Sequence, residues 1–312
     1  MKPNKSLQQL VAIALNFKSF ALSILARREE AIATCDEMIA RFSDVEDAVL
    51  REAVAAAIFI KGTTLNQLNR YEEAIAAYDK VISCFGDAEE GEFREAAARA
   101  MLDKGYCFGQ LNCSEEAEIA FRQAIELKPD DSTANIKLIE LLLKIPERLD
   151  DALQTAEEII GRKPEDPALL NGVARAFYKR RDLSLLQKAE NWSRQAVSLS
   201  PENANAHHTL ACILSVLGKG SEALESAGKY IQDVALVESA IEDAIELFVA
   251  LAASGHAKEA LGILVNSLVQ KHLEPLVVGL KLHMGEDVKT ATEILEVAKD
   301  VVKRIEERLK KH

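Results

Sequence analysis

Residues 61–82 have the sequence KGTTLNQLNRYEEAIAAYDKVI, and this stretch decides the fold. At helical periodicity it predicts two amphipathic helices that are joined by a tight turn at residues 68–70. Ala74, Tyr78 and Val81 are spaced by four and three residues, so they share one face of the second helix. The stretch therefore predicts a helical hairpin.

The contact between these two helices needs small side chains. Two helices approach closely only where one side chain at their crossing is small. We therefore predict that Gly62 lies opposite Ala74. Leu65 and Tyr78 are expected to fill the space beside this crossing.

The hairpin is one copy of an internal repeat. Lysines recur at a spacing of 43 residues, at Lys18, Lys61 and Lys104. Alanines recur at the same spacing of 43 residues, at Ala31, Ala74 and Ala117. A Glu-Glu-Ala triplet begins at Glu29, Glu72 and Glu115. Self-similarity at a fixed period is the signature of a repeat architecture.

The small–large–small pattern resembles a tetratricopeptide repeat, whose usual unit is about 34 residues long. The longer 43-residue units are similar to those in tandem arrays of large bacterial tetratricopeptide proteins, and the likeness covers roughly residues 12–130. The extra residues continue as helix, so we expect long first helices in the second and third units. The resemblance implies an all-α, right-handed superhelical solenoid of about eight antiparallel helix pairs.

On this basis we expect residues 1–312 to form a single solenoid, because a helix pair must stack on its neighbours to bury its apolar face. The approximate units are 7–43, 47–86, 89–130, 132–164, 167–201, 204–232, 237–270 and 275–312. In the fifth unit, residues 180–187 predict a longer connection between the two helices.

The last unit ends in a long predicted helix, residues 288–311. Its apolar residues alternate by three and four, at Val288, Ala291, Leu295, Ala298, Val302, Ile305 and Leu309. This spacing suits a coiled-coil seam through which two chains form a homo-oligomer. The alternative interpretation is a capping helix that covers the final repeat and presents its charged face to water.

Composition restricts the partners and the compartment. The net charge of −12 disfavours nucleic acid and anionic membranes as partners. The five cysteines show no CxxC spacing, which indicates buried thiols in a reducing cytoplasm. We expect no stretch that approaches the length of a membrane span, and hence no membrane partner.

The sequence contains no arrangement typical of catalysis. The recurring glutamate pairs lie in the first turn of second helices, where negative charge complements the helix dipole. His207 and His208 are adjacent, so on a helix they diverge and do not bind one metal ion together. No phosphate-binding glycine loop and no nucleophile motif is present. We predict a protein that is not an enzyme and has no cofactor or metal site.

The resemblance implies that the first helices line a concave groove, which in this family takes an extended or helical peptide. The candidate groove residues, mapped by register, are Asn16, Phe59, Thr63, Asn66, Gln67, Tyr106, Gln110, Asn171, Arg175, Tyr178, Lys179 and His208. Amide and tyrosine side chains suit hydrogen bonding to a peptide backbone. The alternative is a hydrated inner face that binds nothing.

A basic segment adds a second indication. Residues 161–200 carry eight basic and four acidic residues, a local excess of positive charge in an acidic chain. Arg175 and Lys179 lie one helical turn apart and could pair with a carboxylate or a phosphate. Together with Asn171 they match fragments of the family's carboxylate clamp for chaperone tails, but no three consecutive units match it. A solvated basic patch is the alternative.

Two function hypotheses from different classes follow. The first is a non-catalytic module that binds a peptide or protein segment in the groove, as an adaptor, a scaffold or a fragment of a longer chain. The second is a structural protein that self-assembles through repeat ends and residues 288–311. A third is a ligand-sensing regulatory domain of a larger bacterial protein.

Overall fold

The computed structural model describes residues 5–43, 47–85, 91–233, 238–267, 273–286, 288 and 292–310. Within these ranges the regular structure is helical, and none of the residues lies in a strand. The chain forms two compact units, unit 1 ending at Ile145 and unit 2 beginning at Pro146. This division falls inside the predicted repeat 132–164, so a single continuous solenoid stays a prediction.

Unit 1 is built from neighbouring helices that pack in pairs. Its helices are α1 Lys5–Ile24, α2 Arg28–Phe42, α3 Ala48–Gln67, α4 Tyr71–Phe85, α5 Gly91–Gln110, α6 Ser114–Leu127 and α7 Ser132–Leu142. The first six form the pairs α1/α2, α3/α4 and α5/α6, and α7 packs on α6. The helices α3 and α5 are each 20 residues long, which confirms the long first helices of the second and third units.

The turns inside these pairs repeat with the sequence. Ala26, Asn69 and Asn112 adopt left-handed backbone conformations with φ of 58°, 59° and 60°. Asparagine tolerates this conformation better than most residues, so it suits two of the three turns. The observed turn between α3 and α4 is the predicted one at residues 68–70.

An aromatic ring packs directly on the glycine at the helix crossing of the second pair. A Cβ atom placed on Gly62 would lie 2.8 Å from Tyr78 Cε1. The next pair repeats this contact, because a Cβ atom on Gly105 would lie 2.7 Å from the Phe121 ring and 3.3 Å from the Ala117 carbonyl oxygen. The close approach of paired helices at a glycine is therefore present, and the position of Ala74 opposite Gly62 stays a prediction.

Unit 2 continues the arrangement of adjacent helices. After a short 3₁₀ helix at Pro146–Arg148 its helices are α8 Leu149–Arg162, α9 Pro167–Arg180, α10 Leu183–Leu199, α11 Ala204–Val216, α12 Gly220–Asp233, α13 Glu238–Leu251, α14 Ala257–Val265, α15 Glu274–His283 and α16 Thr292–Leu309. The pairs α9/α10, α11/α12 and α15/α16 pack closely.

The connection between α9 and α10 is shorter than the sequence predicts. Only Arg181 and Asp182 separate the two helices, so the longer connection over residues 180–187 is wrong. Arg181 adopts a left-handed conformation with φ of 56°, which ends α9. The Asp182 carboxylate accepts a hydrogen bond from the Ser184 backbone N–H and so caps the N-terminus of α10, which begins at the next residue.

The last helix packs within its own unit. Ala298 and Ile305, two of the predicted seam positions, are fully buried. Val301 lies against Gly279 of α15, where an added Cβ atom would be 2.7 Å from Val301 Cγ1. This packing favours the capping interpretation. Ala291 and the side chains of Leu295 and Leu309 lie outside the described part of the helix.

Two helical stretches are long and apolar enough to cross a membrane, contrary to the expectation from sequence. They are Lys5–Ile24 and Ile241–Val265. The second passes through Gly255, whose φ of 88° breaks the helical path between α13 and α14. Length and composition are also met by core helices of soluble proteins, so this finding by itself assigns no membrane contact.

Candidate functional site

Unit 1 contains a cavity of about 490 Å³, which we call the unit-1 cavity. It is lined by Glu52, Ala55, Ala56, Phe59, Ile60, Val81, Glu95, Ala96, Arg99, Lys128 and Asp131. The five residues from α3 are spaced by three and four along the helix, so they form one face. The alanines leave room between the first helices of neighbouring pairs, α3 and α5.

The wall of the unit-1 cavity is apolar, and a second aromatic ring packs on it. Phe59 packs on the Tyr78 ring with centroids 5.9 Å apart. Tyr78 is fully buried, and this burial raises the pKa of its phenol above the ordinary range. This ring contact supports the Phe59 side of the cavity.

The rim of the unit-1 cavity carries charges of both signs. Lys128 forms an ion pair with Glu95, and this pairing raises the pKa of the lysine. Arg99 Nε donates to Asp103 Oδ2 at 3.2 Å on the neighbouring turn of α5. The pocket therefore combines an apolar interior with polar edges, the usual character of ligand sites.

Three of the groove residues predicted in unit 1 form hydrogen bonds within the protein. Asn16 Nδ2 donates to the Ala53 carbonyl oxygen at 2.8 Å and ties α1 to α3. Thr63 Oγ1 donates to a carbonyl oxygen of its own helix at 2.9 Å. Gln67 Oε1 accepts a hydrogen bond from Arg28 Nε at 3.3 Å.

The remaining predicted residues of unit 1 are distributed along two helices. Phe59 is the one that lines the unit-1 cavity. Tyr106 and Gln110 are exposed on α5, and Asn66 is half-buried on α3. The sequence prediction missed the alanines beside Phe59, although their spacing on α3 was visible.

Unit 2 contains a smaller cavity of about 160 Å³, which we call the unit-2 cleft. Its lining residues are Arg175, Tyr178, Lys179, Arg181, His208, Thr209, Cys212, Asp243 and Glu246. Four of the predicted groove residues, from α9 and α11, thus meet at one place. Asn171 lies one turn before Arg175 on α9, and its side-chain oxygen is buried with no hydrogen-bond partner among the described residues.

Acidic residues of α13 reduce the positive charge of this cleft. Arg175 Nη2 lies 3.6 Å from Asp243 Oδ1, and Arg181 Nη2 lies 3.0 Å from Glu246 Oε1. Arg308 of α16 also pairs with Glu246, at 3.2 Å. The sequence prediction missed both acids because they come from a distant helix, although they stand out as charged positions in the apolar α13.

The interior of the unit-2 cleft is polar, and burial changes the pKa values of its titratable side chains. His208 Nε2–H donates to the Asp243 carbonyl oxygen at 3.0 Å, and burial lowers the pKa of the imidazole. Burial raises the pKa of the Cys212 thiol to about 12, so it stays protonated and unreactive. The Tyr178 hydroxyl is buried beside the Cys212 thiol and lowers the pKa of that thiol in part, against the larger effect of burial.

Comparison with known proteins identifies the repeat. Residues 53–130, which span most of α3 and all of α4 to α6, match the family model described as tetratricopeptide repeat. Residues 53–130 thus contain tetratricopeptide repeats. No curated protein sequence matches this chain.

One solved structure shows a similar fold over nearly the whole chain. A tetratricopeptide repeat protein from Parabacteroides merdae covers 95% of this chain and 98% of its own, with 15% identity and a TM-score of 0.55. At this identity the likeness shows the fold alone. Weaker matches include PilW, a type IV pilus biogenesis factor, which covers 71% and 94% with 17% identity and a TM-score of 0.49. YrrB, described as having an unusual peptide-binding site, covers 71% and 97% with 18% identity and a TM-score of 0.41. No conclusion about this chain is drawn from these two.

Proposed function

We propose that this protein is a non-catalytic interaction module that binds a peptide or protein segment, as an adaptor or scaffold. The observation that carries the proposal is the unit-1 cavity between α3 and α5. Its volume of about 490 Å³ lies within the usual range of ligand pockets, roughly 300–1,000 Å³. Its apolar wall and charged rim suit an apolar side chain on a polar backbone.

The occupant is expected to insert one or two apolar side chains against Phe59 and Ile60. Burying one such side chain contributes about 1.5–3 kcal/mol, so most of the affinity would come from a few anchors. The charges at Glu95, Arg99 and Lys128 would then pair with backbone or side-chain groups of the segment. These charges would determine the orientation of the bound segment more than the strength of its binding.

The state of the buried thiols supports a role without catalysis. Burial raises the pKa values of Cys107 and Cys212 to about 12, far above physiological pH. A thiol acts as a nucleophile only as thiolate, so neither residue is activated. The family's general role in protein interaction agrees with this interpretation.

The test selects peptides from a random display library on the intact protein and measures their binding by fluorescence polarisation. Ala56 is exposed and lines the cavity, so Ala56→Glu should block it without disturbing the core. We expect binding at least about tenfold weaker, a loss of roughly 1.4 kcal/mol.

The matched control is Ala76→Glu, an exposed alanine on α4 outside the unit-1 cavity lining. It makes the same charge change and should bind peptide like the wild type. Equal binding by Ala56→Glu, or no enriched peptide at all, would contradict the proposal.

A second site for an anionic group is proposed at the unit-2 cleft. Arg175, Lys179 and Arg181 face Asp243 and Glu246 there. The cleft of about 160 Å³ accommodates one carboxylate rather than a whole segment. This site would bind an acidic side chain or a chain terminus.

The double variant Arg175→Glu/Lys179→Glu should abolish binding of peptides selected with a free terminal carboxylate. The control Arg162→Glu/Arg180→Glu makes the same change in net charge at exposed residues outside the cleft lining. Equal affinities of the two double variants would remove the unit-2 cleft as an anion site.

The acidic composition favours protein partners over polyanions. With a net charge of −12 the chain repels nucleic acid and anionic lipid at long range. We accordingly propose a protein partner in the cytoplasm. A ligand-sensing domain of a larger protein is a weaker alternative, which a peptide-induced rise in melting temperature in the absence of any protein partner would favour.

A further inference from the structure

The first helix, α1, is apolar on two opposite faces. One face is directed inward, where Ala12 and Leu22 are buried. The other face exposes large apolar side chains, at Leu7, Leu10, Ile13, Phe17, Phe20 and Ile24, with Leu25 directly after the helix. We call these seven residues the α1 stripe. Phe17, near its centre, is 71% exposed.

The α1 stripe is continuous and almost free of charge. Its six members within the helix are spaced by three and four residues, so they run along one side of the helix for roughly 25 Å. Lys5 and Lys18 are the only charged residues of α1, which contains no acidic residue. Surface helices of globular proteins ordinarily carry charged residues on the face turned away from the core.

The repeat register shows what part of this face does elsewhere in the chain. Leu7 and Leu10 correspond, at the spacing of 43 residues, to Leu50 and Ala53. Both residues of α3 are buried in the core cluster that also contains residues of the preceding helix pair. Ile13 and Phe17 correspond instead to Ala56 and Ile60, which line the unit-1 cavity. The register therefore relates the first part of the stripe to a buried surface of the next pair and the middle of the stripe to the cavity wall.

Lysines at one repeat position support this assignment. Lys61 pairs with Asp36 of the preceding helix pair at 2.5 Å. Lys104 pairs in the same way with Asp79, also at 2.5 Å. Lys18 occupies the equivalent position on α1, beside the stripe. Lys18 thus occupies a position that on the next two first helices pairs with an acid of the preceding helix pair.

The exposed area is that of an interface. From their exposed fractions, the seven side chains leave on the order of 800 Å² open, whereas the largest apolar patch on a typical monomer is about 300–600 Å². About 800 Å² per partner is also the area of a standard protein–protein interface. Full burial of the stripe would therefore reach the area of a standard interface.

The other exposed apolar residues of the chain indicate what could cover the α1 stripe. Elsewhere in the described ranges, large apolar side chains are exposed singly, at Val49, Tyr106, Ile119, Leu183, Leu199, Val265 and Val297. None of these positions forms a stripe that could cover α1. The surface of this chain that matches the α1 stripe in length and polarity is the α1 stripe of a second copy.

We propose that the protein forms a symmetrical homodimer in which the two α1 stripes pack antiparallel on each other. A two-fold axis between residues 15 and 16 would place Leu7 opposite Ile24, and Leu10 opposite Ala21, of the second copy. It would also place Phe17 opposite Ala14. Ala14 and Ala21 are exposed on α1, so Phe17 and Leu10 meet small residues across the axis, whereas Leu7 and Ile24 meet as two large residues.

The proposal is tested by sedimentation equilibrium of the full chain in reducing buffer over a wide concentration range. The wild type should be a dimer, and Phe17→Glu should be a monomer because it places a charge in the centre of the interface. Phe17 is so exposed that the substitution should leave the helical circular dichroism and the melting of the monomer unchanged.

The matched control is Leu183→Glu, which charges an apolar residue that is 64% exposed in unit 2. It should remain a dimer. A wild type that is monomeric throughout the concentration range, or a dimer that persists in Phe17→Glu, would overturn the proposal. So would a monomer that sediments with phosphatidylcholine vesicles through the α1 stripe, since that result would assign the stripe to a membrane surface.

Discussion

At the scale of single residues, two glycines fix the distance between paired helices. Gly62 lies under the Tyr78 ring and Gly105 lies under the Phe121 ring, at equivalent repeat positions. Both aromatic side chains are buried. A side chain at either glycine would have to displace a buried ring.

We predict that Gly62→Ala and Gly105→Ala each destabilise the protein by about 1–3 kcal/mol, because the added methyl group overpacks the crossing. Gly109→Ala is the control, since a Cβ atom there meets nothing within 4 Å. That substitution should be neutral or should stabilise the helix by about 0.5–1 kcal/mol. Urea unfolding of the three variants measures the difference, and equal stabilities would contradict the crossing described above.

His208 makes stability depend on pH. Burial lowers the pKa of its imidazole, while the nearby Asp243 carbonyl and carboxylate oppose that shift in part. The remaining charges close to the ring are Arg175 and Glu246. The folded protein thus binds this proton less readily than the unfolded chain, whose histidine pKa is about 6.5.

The lowered pKa of His208 makes the folded protein less stable at acidic pH. His208 contributes stability above the unfolded pKa, and this contribution is lost as the pH falls below about 6.5 through the lower folded pKa. The free energy of unfolding should therefore fall more steeply from pH 7 to pH 5 in the wild type than in His208→Gln. His283→Gln, outside the cleft, should keep the wild-type slope, and parallel slopes in all three proteins would refute the assignment.

At this scale the sequence predicted residues on shared helices well. Arg175, Tyr178 and Lys179 follow one face of α9, so their meeting at the unit-2 cleft could be expected from spacing. Asp243 and Glu246 could not, because they belong to a helix far away in sequence. Helical periodicity identifies residues that share one face of a helix. It does not identify which residues of a distant helix will pack against that face.

At the scale of helices, local sequence determined the lengths and most of the ends. The absence of breakers predicted the 20-residue helices α3 and α5, and both are present. The error at residues 180–187 arose because the left-handed turn at Arg181 and the cap at Asp182 have no glycine or proline to mark them. Turn chemistry of this kind is weak in sequence.

The packing of α16 leads to a prediction for this helix. Ile305 is fully buried, whereas Val297 on the same helix is 49% exposed. Ile305→Ala should cost about 2–4 kcal/mol through a lost contact and a cavity, and Val297→Ala should cost much less. Thermal unfolding followed by circular dichroism compares them, and equal effects would show that α16 does not pack on α15.

At the scale of the whole molecule, the 43-residue repeat period predicted the fold class. Positions that recur every 43 residues require the same contacts in each copy, and a tetratricopeptide array is what such contacts build. The division between Ile145 and Pro146 was not predictable, because it depends on how many contacts cross a boundary. Apolar periodicity within helices carries no information on that number.

The two proposed uses of the molecule depend on different surfaces. Peptide binding depends on the cavity between α3 and α5, and dimerisation depends on the outward face of α1. Ala56→Glu and Phe17→Glu therefore separate them: each variant should lose one property and keep the other. A single substitution that removed both would mean that the two surfaces act together.

Hydrogen–deuterium exchange of the intact protein, with and without a selected peptide, tests the central claim most directly. The account predicts slower exchange on binding over residues 52–60 of α3 and 95–99 of α5, which line the unit-1 cavity. It predicts no change in that region when Ala56→Glu is mixed with the same peptide. Protection confined to other helices, with residues 52–60 and 95–99 unchanged in the wild type, would contradict it.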